Sequence, residues 1–285
     1  MAEVWQAEDK SFLVTGGANG LGAAYVEAFL KEGAKCIAIV DIAEEAGKEL
    51  SQRLNEVYNN RTIFVKCDVS KEEDITRAFK EVLDKFERID VIINNAGIMN
   101  DSEHVWRLAN DVNWQGLLSF TWKGVSHMRK ENGGAGGTII NISSIAAFLK
   151  LPIIPSYSGS KAAVLHFSLC LAAHPFYEKT NIRVLTFCIG PTRTDLMRNL
   201  VERSIDKESA AKQEAESSFS TYQLIESAVA AMVKMYQVGA NGSVWLSMNN
   251  RTAEDITHVI NNGHKVFENV VYNGLDSIPN HVRDE

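Results

Sequence analysis

Residues 15–22 read TGGANGLG and lie between two stretches of different periodicity. SFLVT at 11–15 is a short apolar run of strand type, and AAYVEAFLKEGA from Ala23 onward repeats its apolar residues at helical spacing. A strand that turns through glycines directly into a helix gathers backbone N–H groups and the positive end of the helix at one point, which suits a pyrophosphate. Gly16, Gly20 and Gly22 are placed against that anion, with Asn19 and Leu21 in the same turn. A plain structural turn is the alternative for any glycine-rich stretch; the strand-turn-helix order argues against it here.

The same alternation runs on through the chain. Strands are predicted at 36–41, 61–69, 90–94, 137–143, 181–189 and 242–248, with helical patterns over 44–58 and 71–86, from Tyr157, over 195–218 and over 222–236. Long helices between strands imply a mainly parallel, seven-stranded sheet covered on both faces, that is, a single-domain α/β three-layer sandwich of the doubly wound, Rossmann-like type. No solenoid repeat or proline-rich linker divides the 285 residues, so one domain is expected, with its core at 8–248 and a C-terminal extension at 249–285. Within the extension, VFENVVY reads as a short strand or a packed segment, and the final HVRDE as frayed.

Composition excludes several functions. The net charge of −7 implies no broad basic surface, so nucleic acid is not expected as a partner. No apolar run approaches a membrane span, and the N-terminal segment lacks a secretory pattern, so the expected location is cytoplasmic. Cys36, Cys67, Cys170 and Cys188 show neither redox-pair nor metal-ligand spacing, nor do the histidines complete such a set; no metal site is expected.

Asp41 ends the second strand 19 positions after Gly22. A carboxylate there accepts hydrogen bonds from the adenosine ribose hydroxyls and repels a 2′-phosphate, and neither Asn19 nor the following Ile42 offers that phosphate a positive charge. The expected cofactor is therefore NAD. Asp68, followed by Val69, either meets the adenine edge or caps the next helix. Asn94, Asn95, Ala96 and Gly97 close the fourth strand, where small residues and backbone amides can pass beside ribose and nicotinamide.

Tyr157 and Lys161 stand four apart on one helix and share a face, with Ser144 upstream at the end of the fifth strand. A phenol is a poor base at neutral pH; a neighbouring ammonium favours its anion, which could take the proton of an alcohol. Ser144 can hydrogen-bond the substrate oxygen as charge develops. Each residue alone has an ordinary structural explanation, but together, downstream of a dinucleotide fingerprint, they specify hydride chemistry at an alcohol or carbonyl carbon.

With TGGANGLG, NNAG, Asn113, NISS and YSGSK in this order, the chain resembles the short-chain dehydrogenase/reductase family over residues 8–248. Within the family the pattern is similar to insect alcohol dehydrogenases and NAD-linked 15-hydroxyprostaglandin dehydrogenases. The resemblance implies a catalytic set of Ser144, Tyr157 and Lys161, with Asn113 supporting a water and lysine proton relay. It also implies a nicotinamide-side loop at Gly190, Thr192 and Thr194, where the usual Pro-Gly is replaced by Ile189-Gly190 and Pro191 follows. A homodimer or homotetramer, and oxidation of a secondary alcohol on a lipid, terpenoid, steroid or short-chain molecule, are expectations of the same kind.

Between Ser144 and Tyr157, the residues Phe148, Leu149, Ile153 and Ile154 could line an apolar pocket or pack on a neighbouring helix; Ile154 is the individual choice for substrate contact. Leu196, Met197 and Leu200 open a segment, 195–220, that suits a substrate lid or a static amphipathic helix. Met235, Trp245 and Met248 read as core residues.

Overall fold

The computed structural model describes residues 4–216 and 222–274. Its sheet is built from β1 (Ser11–Thr15), β2 (Cys36–Asp41), β3 (Thr62–Lys66), β4 (Val91–Asn94), β5 (Gly137–Ser144), β6 (Ile182–Ile189), β7 (Val244–Ser247) and β8 (Glu254–Asp255). The order is β3-β2-β1-β4-β5-β6-β7-β8, with every pair parallel except β7 with β8. The seven anticipated parallel strands are thus joined by a two-residue antiparallel edge strand from the C-terminal extension. Strand order reverses between β1 and β4, and in such sheets the crevice beyond the carboxyl ends of those strands is where ligands bind.

The helices are α1 (Gly20–Lys31), α2 (Glu44–Val57), α3 (Glu72–Phe86), α4 (Trp106–Asn110), α5 (Leu117–Met128), α6 (Pro155–Ala172), α7 (Phe176–Thr180), α8 (Leu200–Arg203), α9 (Lys207–Glu216), α10 (Ile225–Val238) and α11 (Thr257–Asn273). Side chains of one strand alternate between two cores. Phe12 and Val14 join Phe29 of α1, Leu54 of α2 and Tyr236 of α10, while Leu13 joins Phe79 of α3 and Phe120 of α5 on the other face. Phe12 stacks on Phe29 at 4.7 Å between ring centres, and Phe29 meets Tyr236 edge-on at 5.3 Å. Burial on both faces is why β2 and β4 are apolar without alternation until their last residues.

Several boundaries differ from the sequence reading. The third strand ends at Lys66, because Cys67 donates back to Asp41 O and Asp68 turns the chain into α3. VFENVVY, read as a short strand or packed segment, lies inside α11, where Phe267 and Val271 are exposed. The segment from 195 breaks into a 3-10 turn, α8 and α9. The lid limit at 220 and the final HVRDE lie outside the described residues. No described helix is long and apolar enough to cross a membrane.

Candidate active site

The glycine turn after β1 is open to an anion. Gly16 and Gly20 have φ of +62° and +53°, a region that side-chain-bearing residues rarely adopt. At Gly22 a Cβ would stand 2.0 Å from the Gly16 carbonyl oxygen, so only glycine lets α1 pack this close to the turn. Asn19, at the N-cap of α1, makes no side-chain capping bond, and no acid occupies the first turn. The N–H groups around Gly20, Leu21 and Gly22 are therefore available to a pyrophosphate.

Asp41 fits the ribose role. Its two carboxylate oxygens accept from the Ala18 and Ala43 amides, each at 2.9 Å, which fixes the side chain and leaves further lone pairs for hydroxyl donors. Ile42 beside it is 60% exposed. The cation in register across the sheet, Lys66, is bound to Glu44 at 2.7 Å. Asp68 accepts from the Ser70 amide and hydroxyl at 3.0 and 2.6 Å and pairs with Lys71 at 3.2 Å, so it serves the turn into α3 in either reading. Val69 is buried beneath that turn, against Gly116.

At the switch point, the Thr15 hydroxyl accepts from the Asn95 and Ala96 amides at 3.0 and 3.1 Å, while the Asn95 side chain donates to the carbonyls of Thr15 and Gly16, each at 3.0 Å. Thr15 and Asn95 thus lock the glycine turn to the loop after β4. Asn94 is buried, donating to Thr121 and Asn141 at 3.0 and 2.9 Å, and supports the strand rather than facing the crevice. Gly97 leaves room where a Cβ would come 3.3 Å from Asn113 Oδ1 and 3.6 Å from Lys161 Nζ. This narrow passage, the bare glycine turn and the fixed Asp41 together match the outline of a dinucleotide.

Asn113 occupies a π-helical turn, Asp111–Gly116, between α4 and α5, a type of irregularity found most often at functional sites. Its amide grips Ile98 in both directions, accepting from the amide at 2.7 Å and donating to the carbonyl at 2.8 Å, and reaches Ser160 at 3.2 Å. Ser144, at the end of β5 opposite Ile189, donates to Ile189 O at 3.3 Å and accepts from Ala146 N at 3.1 Å. Tyr157 and Lys161 lie on α6, with the ammonium 5.7 Å from the ring centre. Burial pushes the Tyr157 phenol up to about 12, and a hydrogen bond with Ser144 works against that rise.

Burial has the opposite effect on Lys161, whose amine is pulled down to about 8, with the neighbouring Cys188 thiol opposing the fall. The ammonium donates to Ile142 O at 3.0 Å. Because the folded value lies below the ordinary lysine value, the native state bears the cost of a buried charge below about pH 8, and that cost fades as pH rises toward the unfolded value. Lys161→Met is therefore expected to stabilise the fold at pH 7 by about 2 kcal/mol, the desolvation relieved less one lost hydrogen bond. Thermal melts should show this gain shrinking between pH 8 and pH 10; a variant that melts below the wild type at pH 7 would contradict it.

Past β6, Thr192 is buried, donating to Gly190 O at 3.0 Å and accepting from Gln223 at 2.9 Å. Gln223, fully buried, also bonds the Ser247 carbonyl and hydroxyl, and so ties the loop to β7. Nothing local in the sequence marks it, since all its partners are distant along the chain. At Gly190 a Cβ would stand 2.7 Å from Met248 Cβ. Thr194 is half-buried and faces Gly20 across the crevice; a Cβ on Gly20 would lie 3.6 Å from its methyl group.

A cavity opens beside Tyr157 and Ser144. Its walls include Met99, Ala146, Leu149, Leu151, Ile153, Ile154, Leu196, Met197 and Leu200, and its polar lining among the described residues is Ser143, Ser144, Tyr157 and Lys161 with Asn95, Thr192 and Thr194 on the glycine-turn side. Ile154 and Leu196 lie where the sequence reading set them, whereas Phe148 is 40% exposed and does not line the cavity. Met235 and Trp245 are core residues. Among the described residues no cluster of His, Cys, Asp or Glu could hold a metal ion.

The profile of the family described as short chain dehydrogenase matches residues 10–205. The 15-hydroxyprostaglandin dehydrogenase [NAD(+)] of Rattus norvegicus is 36% identical over 192 residues, 67% of this chain and 71% of the relative. Alcohol dehydrogenase 1 of Ceratitis cosyra is 28% identical over 242 residues, 84% of this chain and 91% of the relative. Among solved structures, the NADPH-dependent 3-quinuclidinone reductase from Rhodotorula rubra shares the fold, with a TM-score of 0.71 at 23% identity, covering 86% of this chain and 91% of that one. The chain belongs to the short-chain dehydrogenase family.

Proposed function

We propose that this protein is an NAD-dependent dehydrogenase that interconverts a secondary alcohol and its ketone on an apolar small molecule of the lipid, terpenoid, steroid or short-chain kind. As a family member it is an oxidoreductase of CH–OH groups using a nicotinamide nucleotide. The observation that carries the finer reading is the juxtaposition of Tyr157 and Ser144 with a cavity walled mostly by hydrocarbon side chains. The names of the rat and Ceratitis relatives support alcohol oxidation, and that of the rat relative supports NAD.

Gly16, Asn19, Gly20, Leu21 and Gly22 would hold the pyrophosphate, Asp41 and Ile42 the ribose end, Asp68 and Val69 the adenine, and Asn95, Ala96, Gly97, Gly190, Thr192 and Thr194 the nicotinamide half. When bound, NAD supplies the acceptor for the hydride leaving the carbinol carbon. Tyr157, as phenolate, takes the hydroxyl proton while Ser144, turning its hydroxyl away from Ile189 O, donates a hydrogen bond to the same oxygen, so the C–H electron pair leaves as hydride and a ketone remains. Lys161 places positive charge beside the phenolate, and Asn113 holds the Ile98 segment and Ser160 against this helix face. In reduction Tyr157 returns the proton. Ile154 and Leu196 fix the apolar body of the substrate and exclude water.

Location in the cytoplasm and assembly as a homodimer or homotetramer belong to the same proposal, resting on composition and family habit. The test is NADH absorbance when purified protein meets NAD and secondary alcohols of the four kinds, with NADP in parallel. NAD-dependent turnover of at least one kind is expected. Binding of NADH with no turnover of any alcohol or ketone would favour a noncatalytic nucleotide-binding protein, and turnover from the ketone side alone a carbonyl reductase.

A further inference from the structure

Asp101 belongs to none of the motifs above, yet it is 2% exposed and stands at the reacting end. Its carboxylate accepts from the amides of Ser156 and Tyr157, at 2.5 and 3.0 Å, in the first turn of α6. The residue before that helix, Ile154, has no side chain able to cap it, so the cap comes from a loop 55 residues earlier. The Asp101 amide in turn donates to Arg203 O at 2.7 Å, at the end of α8. Two residues further on, the Ile205 amide donates to Ile153 O at 3.1 Å. The segment that covers the cavity is thereby tied to both chain segments that meet at the start of the tyrosine helix.

We propose that Asp101 is a positioning residue of the reaction: it holds the first turn of α6, and with it Tyr157, in line with the substrate cover, and its negative charge adds to burial in raising the pH at which the tyrosine exchanges its proton. This rests on the reading of Tyr157 as the acid–base group. The carboxylate is engaged by amides rather than by a cation, and the Arg203 guanidinium turns to Leu196 O at 3.3 Å. The other titratable groups near the tyrosine are Lys161 on its own helix and Cys188 of β6, which interacts with Lys161. Elsewhere the packing around Tyr157 is apolar, from Met99, Ala146, Ile153 and Ala210. A buried negative charge there disfavours the phenolate; without it, the uncompensated positive end of α6 favours the phenolate.

The experiment compares the pH dependence of kcat/KM for alcohol oxidation, at saturating NAD, in the wild type, Asp101→Asn and Asp101→Ser. Asparagine keeps a side-chain oxygen at the same reach of the amides without the charge, whereas serine, one carbon shorter, gives up the bonds as well. In both variants the acid limb should move down by about half a pH unit or more, and kcat should fall more than KM changes; asparagine should keep more of the thermal stability than serine but leave the shifted limb in place. Profiles that superimpose on the wild type, or move upward, overturn the proposal whatever happens to the melting temperature. Should the serine variant fail to fold, judged by NADH fluorescence, the asparagine variant decides. Tyr157→Phe run alongside separates the two claims: retained turnover in that variant would remove the acid–base reading itself, independently of Asp101.

Discussion

Tyr157→Phe is expected to lower kcat for alcohol oxidation by about 1000-fold or more, at the upper range for removal of a general base, while the affinity for NADH stays within about twofold. Phenylalanine fills the same buried space on α6, so the change removes one oxygen and little packing. That oxygen is the group assigned to take the alcohol proton; Lys161, which also lines the cavity, donates to the Ile142 carbonyl, and Ser144 donates to the Ile189 carbonyl. The pH dependence should change with it. Burial holds the phenol protonated, so wild-type oxidation rises as pH increases from neutral and ketone reduction runs the opposite way. The residual rate of the variant should lose that slope. Steady-state kinetics between about pH 6 and pH 10, with fluorescence titration of NADH, check both parts.

The second large effect concerns cofactor choice. Asp41→Ser combined with Ile42→Arg is expected to move the ratio of kcat/KM for NADP over NAD by about 100-fold or more toward NADP. Losing the carboxylate removes charge-assisted bonds to the ribose hydroxyls, each worth about 1.5–3 kcal/mol, and also removes repulsion of a 2′-phosphate. Arginine at an exposed position then offers that phosphate a planar pair of donors. Asp41 also accepts from Ala18 and Ala43, so the variant should melt lower; serine can keep one of those bonds. An unchanged preference for NAD in a folded double variant would mean that Asp41 does not meet the ribose.

What could be read from the sequence was whatever rests on contacts between near neighbours. CIAIVD and VIIN are unbroken apolar runs because their strands are buried on both faces, and TGGANGLG announces its turn because the required φ angles exclude most other residues. Ser144, Tyr157 and Lys161 were legible because two of them share one helix face and the third ends the preceding strand. The segment of α4 and α5 was not read, since its regular spacing is broken by the π turn at Asn113. The two-residue β8 is too short to show any period. In α11 the three valines of VFENVVY suggest a strand, yet the segment winds as a helix with Val266 and Val270 partly buried and Val271 exposed. Asp101 and Gln223 escaped notice for a different reason. Their side chains cap and bridge segments far away in sequence, so their roles exist only once the sheet and α6 have come together.

The central claim is direct hydride transfer from a carbinol carbon placed by Tyr157 and Ser144. It is tested most directly by oxidising a secondary alcohol that carries deuterium on that carbon and examining the reduced cofactor by mass spectrometry and NMR. The account expects one deuterium per turnover on a single face of the nicotinamide ring, with none in the product ketone at that carbon and none lost to water. Reduced cofactor carrying solvent hydrogen instead, or alcohol consumed without cofactor reduction, would contradict it.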